Sequence, residues 1–222
     1  MPCQPLPRSF YNRDTVAVAR DLLGKRLVRL LDGQRLAGLI VESEAYCGRA
    51  DPGSHAYRGP TPRAAVMFGE SGHAYVYFIY GMHHCFNVVA HLPARAGAVL
   101  VRGLQPLEGL EEMQARRRGL PLGQVSNGPA RLCQALGIAR QLNGLDLCLG
   151  QELWIEDGDP IADEAVLVGP RVGLNLQGPA AGQPWRFAVA GNRWVSRPLP
   201  PLPLAEVGLS PCQDGVERGN NA

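Results

Sequence analysis

The fold is decided by one stretch of the chain, Leu39-Ile-Val-Glu-Ser-Glu-Ala-Tyr46, in which an apolar strand runs into charged residues. Side chains of a strand alternate between its two faces, so Glu42, Glu44 and Tyr46 share one face. Burial of an unpaired carboxylate is costly, and polar residues inside a buried strand must therefore be paired or used. We expect the chemistry of the protein at this strand.

The composition is that of an ordinary globular protein. The 222 residues, 45% of them hydrophobic and 19% charged, are enough for one domain with a sizeable core. No apolar run approaches the ~18 residues that a membrane span needs, and the N-terminus lacks the pattern of an export signal. A cytoplasmic location is expected, with nucleoid association if the protein is bacterial. Without export, the six cysteines are interpreted as reduced thiols.

The charges are unevenly distributed along the chain. Residues 1–118 carry a net charge of +5 and residues 119–222 a net charge of −3, and 21 of the 22 basic residues are arginine. Arginine favours bidentate contact with phosphate and carboxylate, which indicates nucleic acid only weakly. The run Arg116-Arg-Arg118 ends a predicted helix over residues 107–118. It is either a solvated helix end, as the helix dipole prefers, or a phosphate contact, and both interpretations stay open.

The remaining pattern predicts a mixed α/β (α+β) chain. Asp14 caps a helix that runs to Leu23, and Asp32-Gly33 is a strong signal for a hairpin between two strands. One domain is expected over residues 1–197, followed by a Pro-rich, flexible tail over residues 198–222. The other predicted elements are strands at 25–31, 35–46, 73–80, 84–91, 96–103, 152–155, 165–168 and 185–195, and a helix at 130–136.

A second informative run is Tyr75-Val-Tyr-Phe-Ile-Tyr-Gly-Met82. Tyr75 and Tyr77 share one strand face, and Tyr80 sits at the turn with Met82 just beyond it. An aromatic core strand would explain these residues by β propensity alone. Aromatic rings beside a strand that carries carboxylates could also bind a planar ligand by stacking. An exposed side chain at the tip of a hairpin could insert between the bases of a duplex.

Two further motifs were considered as ligand sites. His83-His-Cys85 has metal-binding residue types, but consecutive strand residues point to opposite faces, so no metal is expected there. Ser126-Asn-Gly-Pro129 opens a helix whose backbone N–H groups, with Arg131 in the first turn, can hold a phosphate.

In combination, these motifs resemble the alkyladenine (3-methyladenine) DNA glycosylase family over roughly residues 8–197. The resemblance implies a single mixed α/β (α+β) domain, a curved antiparallel sheet flanked by helices with a protruding hairpin. It also implies a base-excision repair enzyme that cleaves the N-glycosidic bond of flipped alkylated purines in duplex DNA without metal or cofactor. The residues that carry the resemblance are Glu42–Tyr46, His55, Tyr75–Tyr77, Ile79–Met82, Asn87, Leu100–Arg102 and Asn127–Pro129.

The resemblance also implies roles for individual residues. Glu44 would be the general base that deprotonates the attacking water, held by Arg102. Tyr46 and His55 would stack on one side of the flipped base and Tyr77 on the other.

Further roles concern duplex and pocket contacts. Tyr80 would enter the minor groove and fill the gap left by the flipped nucleotide, with support from Met82, and Asn87 would refuse a guanine amino group. Gly128 and Arg131 are the expected phosphate contacts.

The expected enzyme acts as a monomer on double-stranded DNA that contains damaged purines, possesses no amine suited to Schiff-base chemistry, and leaves an abasic site. Hypoxanthine and ethenoadenine are further candidate substrates; a neutral base such as hypoxanthine needs protonation as it leaves, and no second acid is fixed by the sequence. Two alternatives were weighed. A sugar glycosidase with Glu42 and Glu44 as its carboxylate pair is disfavoured, because both would lie on the same side of a substrate. A non-catalytic damaged-DNA-binding protein of the same fold stays open.

Overall fold

A computed structural model of the chain describes residues 4–174 and 182–212. It contains eight strands in one sheet, in which every strand pair is antiparallel, and five short helices. The mixed α/β fold class is confirmed. The elements in chain order are α1 Arg8–Tyr11, α2 Thr15–Asp21, β1 Arg26–Leu31, β2 Gln34–Tyr46, β3 Ala74–Ile79, β4 His83–Val89, β5 Ala98–Glu108, α3 Leu110–Arg116, α4 Pro129–Leu136, β6 Leu153–Glu156, β7 Val166–Gly169, β8 Arg186–Val189 and α5 Leu204–Val207.

Strand β2 lies at the centre of the sheet. The strand order is β3-β4-β5-β2-β1-β6, and β8 pairs with β2 at residues 42–44 and with β7. The ladder between β2 and β5 is irregular near Glu42, which faces Gly103 while Ser43 faces Val101, so Arg102 falls in a bulge. Bulges re-aim side chains. This one directs Arg102 toward the carboxylates of β2.

The local signals at the N-terminal half are confirmed. The side chain of Asp14 accepts hydrogen bonds from the backbone N–H groups of Val16 and Ala17 at the start of α2. Asp32 and Gly33 have φ angles of 51° and 76°, the left-handed values that a tight two-residue hairpin requires. Strand β5 is longer than predicted and α3 correspondingly starts later, because the 13 residues of β2 give β5 a partner as far as Glu108.

The apolar core has a main part and a smaller second part. The main cluster packs the sheet against α2 and α4, with Leu22, Phe86 and Leu132 fully buried. The second cluster lies beneath the loop that follows β2 and includes Met67 and Tyr75. None of the described helices has the length and apolar character that a bilayer crossing requires.

The segment from 198 to 212 packs onto the domain. Leu204 of α5 is buried, Pro203 bridges to Leu167 of β7, and Trp185 donates a hydrogen bond to the carbonyl of Ser210. Part of the segment expected to be a flexible tail therefore has defined contacts with the domain, through Leu204, Pro203 and Ser210. Residues 213–222 lie outside the described residues.

A disulfide joins Cys47, directly after β2, to Cys212. The interpretation of all cysteines as reduced thiols is therefore wrong for these two, because the packed C-terminal segment brings residues 165 positions apart into contact. Cys85, Cys133 and Cys148 are free.

Candidate active site

The carboxylates of β2 are fully buried and share one arginine. Glu42 and Glu44 both have no exposed surface, and Arg102 is 6% exposed. The Nε of Arg102 donates to Glu42 Oε1 at 3.1 Å and its Nη1 donates to Glu44 Oε2 at 3.3 Å. The pairing satisfies the expectation that charges inside a buried strand must have partners.

Glu42 has a structural role, because all of its contacts are with other residues of the protein. Besides Arg102, it accepts hydrogen bonds from Nε of Arg186 at 2.7 Å and from the hydroxyl of Ser196 at 2.9 Å. The backbone N–H of Ser196 donates to its second oxygen. Arg102, Arg186 and Ser196 thus hold Glu42 within the protein, which disfavours a role for the two glutamates as the carboxylate pair of a sugar glycosidase.

Glu44 is held differently. It has no exposed surface and lies behind an opening whose lining includes its partners Tyr46, Arg102 and Val172. Its Oε1 accepts a hydrogen bond from the backbone N–H of Val172 at 2.7 Å, and its Oε2 accepts one from the hydroxyl of Tyr46 at 2.9 Å. Burial raises the pKa of Glu44, while the charge of Arg102 and the hydrogen bonds from Val172 and Tyr46 oppose that rise. A carboxylate balanced in this way suits a general base.

The opening is a cavity of about 370 Å³, called here the aromatic pocket. It is large enough for a planar bicyclic ring and lies where β2, β3, β4 and β5 meet the start of α4. The residues that line it and that were predicted as site residues are Tyr46, His55, Tyr77, Tyr80, Asn87 and Arg102.

Tyr46 forms one wall of the aromatic pocket with a fixed orientation. Its hydroxyl donates to Glu44, and the guanidinium of Arg171 lies 4.7 Å from the centre of its ring. Arg171 is itself buried and forms a salt bridge with the buried Asp51. One face of Tyr46 is therefore covered by Arg171, which leaves the other face for a stacked ligand.

His55 and Tyr77 form a second wall together. Their ring centres are 4.7 Å apart with the planes nearly perpendicular, and His55 Nδ1 lies 2.8 Å from the hydroxyl of Tyr75. A base sandwiched between two rings needs roughly 7 Å, twice the ~3.5 Å of a carbon contact. The expected arrangement with His55 and Tyr77 on opposite sides of a base is therefore wrong, since no base fits between them.

The His55 side chain is neutral at neutral pH, and the positive charge near this wall comes from Arg63. Desolvation against the two tyrosines, with a smaller effect from the charge of Arg63, lowers the pKa of His55 to about 4. The guanidinium of Arg63 lies 4.9 Å from the centre of the Tyr77 ring. A neutral imidazole does not repel a cationic ligand.

Asn87 lies at the floor of the aromatic pocket on β4. It is 3% exposed, and its Nδ2 donates to the carbonyl of Tyr75 at 3.0 Å. This hydrogen bond fixes the orientation of the amide, so the part of the side chain that reaches the cavity is rigid.

The turn between β3 and β4, Tyr80-Gly81-Met82, is called here the hairpin tip. Tyr80 is 83% exposed and Met82 68% exposed, which is unusual for large apolar side chains on one turn. Tyr80 has a φ angle of 54°, a left-handed value that costs a residue with a Cβ roughly 1–2 kcal/mol. The hairpin tip protrudes at the mouth of the aromatic pocket, which Tyr80 also lines.

The start of α4 forms another part of the mouth. Pro129 and Ala130 line the aromatic pocket, and Gly128 precedes them without a side-chain cap. Arg131 Nη1 donates to Asn127 Oδ1 at 2.7 Å, on an exposed surface. The backbone N–H groups at this helix start thus remain open at the edge of the cavity.

Sequence reasoning missed Arg171, Val172 and Arg63. Val172 contacts Glu44 from 128 positions further along the chain, and no motif or period marks this segment. The sequence signal available was a single arginine within Gly169-Pro-Arg-Val-Gly173, a pattern found in many loops. Across residues 4–174 and 182–212, no group of three or more His, Cys, Asp or Glu side chains is placed to hold a metal ion.

Comparison with known proteins gives a consistent result. The family model of methylpurine-DNA glycosylase (MPG) matches residues 9–193. A protein of Anaeromyxobacter dehalogenans is 52% identical over 196 residues, which cover 88% of each chain, and bears the name "Putative 3-methyladenine DNA glycosylase". Proteins of the same name from Carboxydothermus hydrogenoformans and Methanocella arvoryzae are 49% and 46% identical, over 86% and 88% of this chain and 98% and 97% of their own.

Proposed function

The chain belongs to the methylpurine-DNA glycosylase family, and from this premise we propose that it hydrolyses the N-glycosidic bond of alkylated purines in duplex DNA. The relatives' names make 3-methyladenine the reference substrate. The observation that carries the proposal is the buried, arginine-held Glu44 beside a pocket walled by aromatic rings.

In the proposed reaction the damaged nucleotide leaves the duplex and its base enters the aromatic pocket. The base stacks between Tyr46 on one side and the wall of His55 and Tyr77 on the other. Alkylated purines are cationic, and the neutral His55 allows such a base to approach. Excluding bulk water from this pocket strengthens the electrostatic effect of Glu44.

Glu44 has two tasks in this proposal. The bond between the sugar C1′ and the base nitrogen breaks with its electron pair going to the base, so positive charge develops on the sugar and the carboxylate stabilises it. A water then bonds to C1′ and gives its proton to Glu44. A cationic purine leaves as a neutral molecule and needs no acid, which explains how one carboxylate can suffice.

The hairpin tip and the start of α4 bind the duplex. Tyr80 enters the minor groove and occupies the space of the flipped nucleotide, with Met82 beside it. Gly128 and Arg131 contact a phosphate next to the flipped nucleotide, because the open N–H groups of α4 lie at the mouth of the pocket. Asn87 rejects the amino group of normal guanine.

The enzyme is proposed to be monofunctional. Lys25 is the only lysine of the sequence, and its Nζ is paired with Asp157 at 2.5 Å, outside the aromatic pocket. A strand-cleaving glycosylase forms a Schiff base with an amine, and Lys25 cannot reach the sugar. Pro2, whose amine would be the alternative, lies outside the described residues. Activity on hypoxanthine and ethenoadenine, a monomeric state and a cytoplasmic location remain parts of the proposal.

The test is release of free base from duplex DNA that carries methylated purines, with and without EDTA. We expect base release in both conditions and intact strands until alkali is added. Strand breaks before alkali would contradict the monofunctional assignment. Tight binding to the damaged duplex without release of methylated, deaminated or etheno-purines would identify a non-catalytic damaged-DNA-binding protein instead.

A further inference from the structure

A second cavity lies on the other side of the hairpin tip. It has a volume of about 620 Å³ and is called here the arginine groove. Its walls are the side of the hairpin tip at Met82 and His84, the end of α3 at Arg117 and Arg118, and the outer surface of α4. His83 and Ala130 line both this groove and the aromatic pocket, so the two cavities are adjacent.

The arginine groove is rich in positive charge. Arg117 and Arg118 line it, and Arg131 is close enough for its charge to contribute to the lowered pKa of Arg117, after desolvation. The charge of Arg140 likewise adds to desolvation in lowering the pKa of His84. Mutual repulsion of this kind is unfavourable in the free protein.

The acidic side chains nearby do not neutralise this charge. Glu112 pairs with Arg116 at 3.0 Å, so that pair is balanced. Arg117 donates instead to the neutral Gln134 side chain and to the carbonyl of Gln124. Within residues 4–174 and 182–212, neither Arg117 nor Arg118 forms a salt bridge with a carboxylate.

Resting on the proposed function, we infer that the arginine groove holds the sugar-phosphate backbone of the duplex on one flank of the flipped nucleotide. The groove borders the aromatic pocket at His83 and Ala130, so the strand whose damaged base enters the pocket passes next to it. Guanidinium groups that have no carboxylate partner match the regularly spaced negative charges of the backbone, and such contacts position the duplex without reading its sequence. Of the two interpretations of the run Arg116-Arg-Arg118, this assigns phosphate contact to Arg117 and Arg118 and a structural pair to Arg116.

The test compares the double variant Arg117→Gln/Arg118→Gln with the matched control Arg13→Gln/Arg95→Gln, whose arginines line neither cavity. Affinity for damaged and undamaged duplexes is measured across a series of salt concentrations. Each lost phosphate contact reduces the slope of log affinity against log salt by about 1, so a decrease of about 2 is expected for the groove variant. The control should keep the wild-type slope, and both duplexes should be affected equally.

A second measurement locates the flank. Duplexes shortened stepwise on one side of the lesion are bound to wild type and to the groove variant. Wild type should lose affinity when one particular flank is shortened, and the groove variant should be insensitive to that same shortening. Equal slopes and equal length dependence for wild type and groove variant would overturn the inference, and so would an equal loss in the control.

Failure of this inference is distinguishable from failure of the proposed function. Suppose that wild type releases no base, but the salt dependence of binding is still weaker in the groove variant. The inference about the arginine groove would then stand, and the proposed glycosylase activity would be wrong. Suppose instead that wild type releases base, but the groove variant has the wild-type salt dependence. The proposed glycosylase activity would then stand, and the inference about the arginine groove would be wrong. Circular dichroism spectra and thermal unfolding of both variants exclude a folding defect.

Discussion

The carboxylate face of β2 and the hairpin tip depart from the usual distribution of residues in opposite directions. On β2, two charged side chains have no exposed surface, whereas at the hairpin tip Tyr80 is 83% exposed. The buried pair has side-chain partners within the protein, whereas the side chains of Tyr80 and Met82 have no hydrogen-bond or ionic partner among residues 4–174 and 182–212. We expect residues with partners inside the protein to act on folding and on the reaction itself. We expect exposed residues without such partners to act through contact with a bound molecule. The predictions below test this separation.

The largest effect is expected from Glu44→Gln. The amide keeps the shape of the side chain but cannot take a proton, so single-turnover excision of 3-methyladenine should fall by roughly 10³- to 10⁴-fold. Binding to damaged duplex should stay within a few-fold of wild type. Glu206→Gln, an exposed change on α5, is the control and should excise at the wild-type rate. Wild-type excision by Glu44→Gln would remove the catalytic assignment.

Glu42→Gln should act mainly on stability. It leaves two buried arginines, Arg102 and Arg186, without their shared charge, and breaking a buried pair costs roughly 3 kcal/mol or more. Urea unfolding measures this loss. The control, Asp157→Asn, breaks an ion pair with Lys25 whose carboxylate is 79% exposed, and should cost at most ~1 kcal/mol. If both variants lost the same stability, burial of the β2 carboxylates would not be the decisive property.

Tyr80→Ala should have the smallest effect of the three variants, and it should act on duplex binding rather than on stability. Stacking of a base on an aromatic side chain contributes ~1–3 kcal/mol, so duplex affinity or excision should fall roughly 10- to 100-fold. Thermal stability of the free protein should not decrease, because Tyr80 has few internal contacts. Leu149→Ala, which removes another exposed apolar side chain, should leave both affinity and excision unchanged. Unaltered binding and rate in Tyr80→Ala would contradict the wedge role.

Local signals in the sequence were sufficient for much of the fold. The cap at Asp14, the turn at Asp32-Gly33 and the alternation along β2 each depend on neighbours in the chain, and each was predicted. The requirement that the buried carboxylates of β2 be paired or used was also predicted. Contacts that depend on the path of a long loop were not accessible, and the position of His55 relative to Tyr77 is one example.

The other contacts that the sequence did not predict also join residues that are far apart in the chain. Val172 reaches Glu44 across 128 positions and Cys212 reaches Cys47 across 165. Neither residue stands in a motif or a periodic pattern, so nothing in its own neighbourhood indicates a partner. The bulge that aims Arg102 depends on how β5 aligns with β2, which the two strand sequences do not specify individually.

Two turns of the sheet share a left-handed backbone but carry different residues. Asp32-Gly33 has the residue types that this conformation favours, whereas Tyr80-Gly81 places a bulky aromatic residue at a φ angle of 54°. A laboratory screen of variant libraries for heat resistance alone would therefore favour replacing Tyr80 by glycine or asparagine, because such changes relieve the turn. Under the wedge role proposed for Tyr80, the clones that survived such a screen best would be those least able to open a duplex. Selection of this protein for heat resistance should therefore include a base-excision assay.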